Sequence, residues 1–371
     1  MSLPDVVIVG GGVIGLASAL RMAKDGLRVT VLDAGQLGGE SSRAAAGILG
    51  PLAESSRDDA LTALLWHGLE RFPGFIDALR EDTGVDPELD LTGILRLVAA
   101  DEAAAYRDSL TWRRRYAALS VREETWPGFA LSVWSPREGQ VYGPRYLEAL
   151  ADACASRGVN LQRGRAASGL VTRGGRVTGA RTASGPVAAG VTLVAAGVWT
   201  DQVLQALRIA TGVRPIRGQV LAVRVPGPHP QVRYAAIGYV ARKRNGLCII
   251  GATEDDAGYD GSVSLGGIVR LAEKAARLAP ELSGAPFERA WAGLRPKTAD
   301  GLPVVGWWPG VEGLMVATGH YRNGILLSAL TAEWTAALAQ GGGSPAPGVT
   351  ASFGPERLLS KSGSPAGPEI G

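Results

Sequence analysis

A glycine-rich turn between an apolar strand and a helix constrains the fold of this chain more than any other feature. Residues 6–9 are uniformly apolar, as expected of a strand buried on both faces. Residues 13–24 carry apolar side chains at helical spacing, and Gly26 ends that pattern. The turn between them, residues 10–15, reads GGGVIG, and a second apolar strand follows at residues 28–32. We therefore predict a βαβ unit that opens an α/β fold.

The pattern G-x-G-x-x-G assigns a role to each glycine. Gly10 permits the tight turn, Gly12 lets the backbone approach a pyrophosphate, and Gly15 lets helix and strand pack closely. The first helical N–H groups and the helix dipole attract phosphate. Asp33 ends the second strand, where a carboxylate accepts hydrogen bonds from ribose hydroxyls. A glycine-rich loop alone is often only a turn, but this combination predicts a dinucleotide site and leaves NAD and FAD both open.

Residues 38–50 form a segment of small residues that contains the paired hydroxyls of Ser41 and Ser42. One interpretation is a helix start capped by serine. The other is a loop whose bare backbone lies against a large planar cofactor, with both hydroxyls donating to phosphate.

The apolar pattern changes to a period of two from about Arg217. Residues 239–242 and 247–250 flank Asn245-Gly246, which is a strong hairpin signal. With a further strand at residues 220–225, this pattern predicts a second domain built on a mostly antiparallel sheet. Helices are also predicted over residues 61–83, 101–118, 144–157 and 263–282.

The composition argues against several classes of function. Lys and Arg number 38 against 35 Asp and Glu, too even a balance for a nucleic-acid or acidic-membrane partner. Cys154 and Cys248 lack C-x-x-C spacing and the histidines (His67, His229 and His320) lie far apart, so we expect no metal site and reduced thiols in a cytoplasmic protein. Residues 6–20 lack the length of a membrane span and the basic region of a signal peptide.

Six segments carry a resemblance to a known family. They are VGGGVIG at 9–15, SSRAAAGIL at 41–49, VAAGVW at 194–199, residues 239–253, WAGLRP at 291–296 with DGLP at 300–303, and GHYRNGILL at 319–327. In this order they resemble the D-amino-acid oxidase superfamily, and most of all its glycine oxidases of the thiamine-pathway type. The likeness runs from about residue 6 to residue 330.

The resemblance implies a Rossmann-like FAD-binding domain of the GR2 flavoprotein type. This domain is expected to comprise residues 1–84, 141–212 and 296–354. Residues 85–140 and 213–295 are expected to form the substrate domain. Because residues 341–371 are rich in Gly, Ser and Pro, we expect residues 355–371 to be a flexible tail.

The resemblance also implies FAD, held largely by backbone contacts. The residues carried over are Gly10, Gly12, Val13, Ile14, Gly15, Asp33, Ala34, Ser41, Ser42, Ala46, Gly47, Ile48, Ala167, His320, Tyr321, Arg322, Asn323, Gly324, Ile325 and Leu326. The N–H groups of the segment 320–326 would stabilise negative charge on the reduced ring. The alternative for that segment is an ordinary Asn-Gly turn entering a helix. Some relatives attach the flavin through cysteine, but no cysteine lies near these motifs, so we expect non-covalent FAD.

Three residues are candidates for the substrate site. Arg295 lies between apolar neighbours, and the resemblance assigns its planar guanidinium to the substrate carboxylate; the alternative is a structural salt bridge. Tyr239 would add a hydroxyl to that carboxylate, or else be a packing residue. Arg322 would border the substrate amine and the flavin, or else close the loop.

The resemblance then implies oxidative deamination of glycine and other small amines or D-amino acids. A hydride passes from Cα to the flavin, and water hydrolyses the imine to an oxo acid and ammonia. Dioxygen would reoxidise the flavin to give hydrogen peroxide, and the product would supply thiazole synthesis in thiamine biosynthesis. Relatives are often homo-oligomers, which we expect here too.

Two alternatives stay open. The first is a D-amino-acid or sarcosine-type dehydrogenase that uses an acceptor other than oxygen. The second is a flavin- or nucleotide-binding protein without catalysis, in which Arg295 and Tyr239 are structural. One departure from the family bears on the substrate: Glu254 follows Thr253 where relatives commonly carry an apolar residue. If Glu254 borders the pocket, it favours a cationic or N-substituted amine; if it points to water, nothing follows. Residues 258–262 resemble a mobile loop over the site.

Overall fold

A computed structural model describes residues 3–227 and 231–359 of the chain, so His229 lies outside the described residues. Within these ranges the strands are β1 (Val6–Val9), β2 (Val29–Leu32), β3 (Ile48–Leu49), β4 (Ile94–Val98), β5 (Ser120–Trp126), β6 (Phe129–Ser135), β7 (Gly139–Gln140), β8 (Asn160–Gln162), β9 (Ala167–Arg173), β10 (Arg176–Thr182), β11 (Val187–Ala188), β12 (Val191–Val194), β13 (Arg214–Arg224), β14 (Gln231–Ala235), β15 (Gly238–Arg242), β16 (Leu247–Gly251), β17 (Phe287–Lys297), β18 (Val304–Trp307) and β19 (Leu314–Thr318). The helices are α1 (Val13–Lys24), α2 (Ser41–Ala44), α3 (Pro51–Glu54), α4 (Ala60–Thr83), α5 (Ala103–Arg113), α6 (Gly143–Ser156), α7 (Thr200–Leu204), α8 (Leu265–Leu278), α9 (Gly324–Ala339), α10 (Pro347–Thr350) and α11 (Glu356–Leu359).

The predicted βαβ unit forms the centre of a six-stranded sheet. The strand order is β18-β19-β12-β1-β2-β8, with every pair parallel except the edge pair β18–β19. All four residues of β1 are buried, which explains their uniformly apolar character. The prediction of a parallel α/β core is confirmed.

Helices cover both faces of this sheet. On one face α1, α4, α6 and α9 share a large apolar core. The opposite face packs against α7 and the small antiparallel sheet β11-β10-β9. Helix α9 is apolar on nearly all sides because it lies between α1 and α4, and the hydroxyl of Thr335 donates to Ser18 Oγ of α1 at 3.0 Å.

A second, eight-stranded sheet has the order β17-β13-β16-β15-β14-β4-β6-β5. Its pairs are antiparallel apart from β14–β4, so the predicted antiparallel second sheet is confirmed. The hairpin β15–β16 turns through residues 243–246, and Gly246 adopts φ +80° there. Helix α8 packs its apolar face against this sheet.

The two sheets are joined where the segment of small residues meets β17. The hydroxyl of Ser41 donates to the carbonyl of Leu294, and the indole N–H of Trp291 donates to the carbonyl of Ala44 at 3.1 Å. Strand β17 therefore reaches the N-terminal half of the chain directly. The division of the chain into the two sets of residue ranges given above stays a prediction.

Several element ends differ from the sequence-based expectation. Helix α8 is shorter than residues 263–282, because the side chain of Ser264 caps its start and Pro280 prevents its continuation. Helix α5 covers only part of residues 101–118. The predicted tail from residue 355 is wrong for its first part: α11 is folded, and Arg357 pairs with Asp300 at 3.1 Å. Residues 360–371 lie outside the described part. None of the described helices is long and apolar enough to cross a membrane.

Candidate active site

A cavity of about 860 Å³ lies at the carboxyl ends of the parallel strands. Gly10, Asp33, Ala195 and Thr318, at or beyond the ends of β1, β2, β12 and β19, all line it. Open α/β sheets bind ligands at this edge. The sheet topology alone therefore makes this cavity the first candidate for the predicted nucleotide site.

The motif glycines have the roles that their spacing predicted. Gly10 adopts φ +109°, and a Cβ there would lie 2.4 Å from the carbonyl oxygen of Ala195. A Cβ on Gly15 would lie 1.9 Å from the carbonyl oxygen of Gly10, so helix and strand pack at backbone distance. A Cβ on Gly12 would meet only Ser42 Oγ, at 3.3 Å, because this glycine faces the cavity. The missing side chain of Gly12 thus leaves space for a ligand, whereas the missing side chains of Gly10 and Gly15 allow close packing within the protein.

The carboxylate of Asp33 is held by the turns on either side of it. It accepts the N–H of Gly11 at 2.7 Å and the N–H of Gly35 at 2.8 Å. Since a carboxylate has about four acceptor positions, two stay available toward the cavity that Asp33 lines. This is the arrangement expected for binding ribose hydroxyls.

The two serines do not cap a helix. Glu40 is the residue before α2, and it makes no side-chain cap. Ser42 Oγ instead accepts the N–H of Val13 at 3.0 Å, and Ser41 bonds to β17 as described above. Both line the cavity, so the segment lies against it as the second interpretation predicted. The hydroxyl of Ser41, however, donates to Leu294 and not toward the cavity, and donation to phosphate stays a prediction for Ser42.

Most of the residues that the resemblance assigns to the cofactor line either this cavity or a smaller pocket beside it. Those that line the cavity are Gly10, Gly12, Val13, Ile14, Asp33, Ala34, Ser41, Ser42, Ala167, His320, Tyr321, Arg322, Gly324 and Ile325. Ala46, Gly47 and Ile48 line a smaller neighbouring pocket. Gly15, Asn323 and Leu326 line neither space, since Gly15 packs on β1 and Leu326 is buried in the core.

The cavity suits a dinucleotide with a planar ring. It joins the phosphate-binding turn at one end to the start of α9 at the other, and its walls are mainly small residues. Neither Cys154 nor Cys248 lines it, which fits non-covalent binding. His320 at the ring end bonds Thr331, and burial lowers its pKa to about 3, so the imidazole adds no charge there.

The smaller pocket, of about 90 Å³, adjoins the cavity and brings together all three predicted substrate residues. Arg295, Tyr239 and Arg322 line it, although they come from β17, β15 and the turn before α9. Tyr321 and Arg322 border both spaces. A molecule in the pocket would therefore contact whatever occupies the cavity.

Arg295 is positioned without being neutralised. Its guanidinium lies over Gly218 of β13, where a Cβ would come within 2.2 Å of it. Its Nη1 donates to the carbonyl of Thr253 at 3.0 Å. Among the described residues no carboxylate oxygen lies within 4.0 Å of Arg295, so the alternative of a structural salt bridge finds no partner here.

Tyr239 is placed in the same way. Its ring lies over Gly251, its partner residue on β16, where a Cβ would lie 2.2 Å from the ring carbon Cζ. Burial raises the pKa of Tyr239 to about 12, although Arg295 acts to lower it. The hydroxyl therefore stays protonated near neutral pH and is able to donate a hydrogen bond.

Arg322, in contrast, has two carboxylate partners. Its Nε lies 3.5 Å from Glu54 Oε2, and its Nη1 lies 3.3 Å from Glu254 Oε1. Burial acts to lower the pKa of Arg322, but Glu54, Tyr234 and Glu254 raise it above its usual value. The Glu254 side chain is 48% exposed and does not line the pocket. It neither borders the substrate nor points freely to water, since it pairs with Arg322.

Glu54 is the site residue that sequence reasoning missed. It ends the one-turn helix α3, lines the pocket, and has a side chain only 10% exposed. Two buried charges hold this helix: Glu138 accepts the N–H groups of Leu52 and Ala53 at 2.6 and 3.1 Å, and Arg113 donates to the carbonyl of Ser55 at 2.6 Å. No motif marks α3, and only Pro51 after Gly50 signals a helix start.

Known proteins resemble the chain over most of its length. The profile of the family described as FAD dependent oxidoreductase matches residues 5–338. A glycine oxidase of Pseudomonas putida is 36% identical over 332 residues, which are 87% of this chain and 91% of the relative. A bifunctional protein ThiO/ThiG of Trichormus variabilis is 34% identical over 88% of this chain and 51% of its own length. The crystal structure of glycine oxidase from Geobacillus kaustophilus superposes with a TM-score of 0.88 at 34% identity, covering 93% of this chain and 96% of the other. The chain belongs to the FAD dependent oxidoreductase family.

Proposed function

We propose that this protein is an amine oxidase that oxidatively deaminates glycine and other small amines or D-amino acids. The observation that carries the proposal is the guanidinium of Arg295, which faces a small pocket beside the cofactor cavity without a carboxylate partner among the described residues. An oriented, uncompensated guanidinium is a binding site for a carboxylate. The small volume of the pocket, about 90 Å³, suits an amino acid with little or no side chain. The names of the glycine oxidase relatives agree with this choice.

The protein contributes position and electrostatics to the reaction. When bound, FAD would supply an acceptor for the hydride of the substrate Cα and a route for its electrons to dioxygen. Arg295 and Tyr239 hold the substrate carboxylate from two strands of one sheet, which fixes the direction of Cα.

The cofactor would be held by main-chain groups along the cavity. Gly12 and the start of α1 would bind the pyrophosphate, and Asp33 the ribose. Backbone N–H groups of Tyr321 to Ile325 would face the ring, next to the positive end of α9. Arg322, with its two carboxylate partners, would border the substrate amine as a structural part of the pocket wall.

The proposal extends to the acceptor and the setting of the reaction. We assign dioxygen as the acceptor, a cytoplasmic location and a homo-oligomeric assembly on the resemblance to glycine oxidases. The bifunctional relative named ThiO/ThiG supports a role in supplying thiazole synthesis for thiamine. A dehydrogenase with another acceptor shares every residue named above, and so only the acceptor separates the two functions.

The test is an anaerobic titration of the purified yellow protein with glycine, followed by re-aeration. Bleaching of the flavin absorbance, its return with air and the release of equimolar hydrogen peroxide would support the proposal. Bleaching that air does not reverse would identify a dehydrogenase. A flavin that neither glycine, sarcosine nor D-alanine reduces would refute amine oxidation.

A further inference from the structure

The pocket contains a carboxylate to which the reaction described above gives no role. We propose that Glu54 accepts the proton of the substrate ammonium group before the hydride leaves, which makes it a catalytic residue. This inference rests on the proposed amine oxidation. It adds a proton acceptor to a site in which Arg295 and Tyr239 account only for the carboxylate.

The chemistry requires the substrate ammonium group to lose a proton before the hydride leaves. Near neutral pH an amino acid enters as a zwitterion, and its nitrogen has no free electron pair. The proposed step breaks one N–H bond, forms an O–H bond on Glu54 and leaves the electron pair on nitrogen. That pair forms the C=N bond as the Cα–H bond breaks and its hydride passes to FAD. The products are a protonated imine and a protonated Glu54, which returns its proton to solvent during turnover.

The geometry of Glu54 fits this role. Its Oε2 atom is buried and accepts no hydrogen bond from the described residues, and Arg322 Nε lies 3.5 Å away. An unsatisfied buried carboxylate oxygen is costly unless a ligand completes it. Glu54 shares the pocket wall with Arg295, so one space holds a free cation and a partly free anion. A zwitterion with adjacent carboxylate and ammonium groups matches that pair.

The charged and phenolic groups around Glu54 come from several of the elements that line the pocket. Tyr234 and Tyr239 face it from β14 and β15, Arg295 from β17, Tyr321 and Arg322 from the turn before α9, and Glu254 from the segment after β16. Burial raises the pKa of Glu54, Arg322 and Arg295 act to lower it, and Glu254 acts to raise it. The net effect is a raised pKa, which makes the carboxylate a better proton acceptor near neutral pH.

The support behind α3 indicates that the position of Glu54 matters. A one-turn helix has little stability of its own. Here two buried side chains support the helix. Glu138, just before β7, accepts two of its N–H groups, and Arg113 of α5 donates to the carbonyl of Ser55, just after the helix. Burying two ionisable side chains beside a four-residue helix is costly, and their bonds fix the position of the helix that carries Glu54.

Glu254 offers a matched control. It is also a glutamate and also pairs with Arg322, at 3.3 Å, but it is 48% exposed and lies outside the pocket wall. Glu54→Gln and Glu254→Gln each remove one negative charge beside Arg322. Only the first removes a proton acceptor that the substrate can reach.

The experiment measures kcat/KM for glycine against pH in the FAD-loaded wild type and both variants. Glu54→Gln is expected to lose about 10²-fold or more near pH 7, the usual contribution of a positioned base. Its activity should recover about tenfold with each pH unit, because the solution then supplies neutral amine. Glu254→Gln should keep the wild-type kcat/KM near pH 7 to within a few-fold, with its pH profile displaced slightly to lower pH, because Glu254 acts to raise the pKa of Glu54. A Glu54→Gln variant that matches the wild type, or that is reduced equally at every pH, would overturn the proposal.

A binding measurement separates this proposal from the proposed function. Acetate carries the carboxylate of the substrate but no amine, and it perturbs the absorbance of a nearby flavin. Acetate should bind the wild type more weakly as pH rises and Glu54 ionises, whereas Glu54→Gln should bind it tightly without that dependence. Loss of acetate binding in Glu54→Gln would indicate a structural role and overturn the proposal. If no amine reduces the flavin but acetate behaves as expected, amine oxidation fails while the titrating carboxylate in the pocket stands.

Discussion

The cofactor cavity and the substrate pocket adjoin, yet different kinds of chemical groups form their walls. The cavity is walled by small residues and main-chain groups at the ends of parallel strands. The pocket is walled by charged and phenolic side chains from separate elements, among them Glu54, Tyr239, Arg295 and Arg322. On the proposed function, main-chain groups would recognise a ligand that is mostly phosphate and planar ring, and side chains would recognise a small zwitterion.

The two constructions need different support. The cavity depends on the absence of side chains, as at Gly12. The pocket depends on groups behind its wall: Gly218 and Gly251 give Arg295 and Tyr239 a flat surface to lie on. If this contrast is correct, variants in the pocket should still bind the flavin, and variants in the cavity should leave the structure of the pocket unchanged.

Arg295→Ala should have the largest effect on catalysis. Removing the free cation should lower kcat/KM for glycine about 10³-fold, equivalent to about 4 kcal/mol, while the flavin content and spectrum stay unchanged. The control is Arg289→Ala, an exposed arginine on the same strand. Steady-state kinetics and the absorbance spectrum measure both quantities. Loss of flavin from Arg295→Ala would contradict the separation of the two regions.

Glu138→Gln tests the support behind the pocket through its pH dependence. Burial raises the pKa of Glu138 from 4.5 to about 7, so the folded state favours the protonated carboxyl, and its contribution to stability is lost as pH rises through 7. Glutamine does not titrate. The free energy of unfolding of the variant, relative to that of the wild type, should therefore rise by about 3 kcal/mol between pH 5 and pH 8.5. Denaturant titrations at both pH values measure this difference. An unchanged difference would show that Glu138 is ionised in the fold throughout.

Gly12→Ala tests the cavity. Its Cβ would meet only Ser42 Oγ, at 3.3 Å, so the apoprotein should fold, but the methyl group would enter the space that we propose for the pyrophosphate. FAD affinity should fall about 30-fold, or about 2 kcal/mol. Fluorescence titration of the apoprotein with FAD measures it. Gly74→Ala, on an exposed helix face with nothing within 4 Å, is the control and should bind FAD normally.

Tyr239→Phe should have the smallest effect of the four. Loss of one hydroxyl that donates to a carboxylate should raise KM about tenfold with little change in kcat, since the bond exists in both the ground and transition states. Tyr106→Phe, a buried tyrosine away from the pocket, is the control. A change in kcat alone would place Tyr239 in the chemical step instead.

The sequence predicted the cavity better than the pocket for a physical reason. The βαβ turn is local: Gly10, Gly12 and Asp33 are brought together by their spacing along one short stretch, and all three line the cavity, while their contacts with a cofactor stay a prediction. Glu54 acts through Glu138, whose bond to Leu52 joins residues 86 positions apart. Neither Gly218 nor Gly251 carries a local signal, because each matters only for the side chain that a neighbouring strand lays over it. Contacts of that kind depend on the tertiary structure, and the spacing of residues along the sequence does not predict them.

The ends of elements were predicted less well than their existence. The apolar pattern continued past Leu278, but Pro280 ends α8. Residues 355–371 are predicted to be a tail because this part of the chain is rich in Gly, Ser and Pro, yet Glu356–Leu359 form α11 and Arg357 pairs with Asp300. Composition indicates that a segment adds little to an apolar core, but it does not show the ion pairs that the segment makes with the folded part of the chain.

The packing of α9 against α1 has a consequence for how the protein is made. Helix α1 ends at Lys24, and α9 begins at Gly324, 300 residues later. During synthesis the glycine-rich turn therefore leaves the ribosome well before the helix that packs against α1. While the residues between them are being made the nucleotide site is incomplete, and we expect stable capture of FAD only after α9 has emerged.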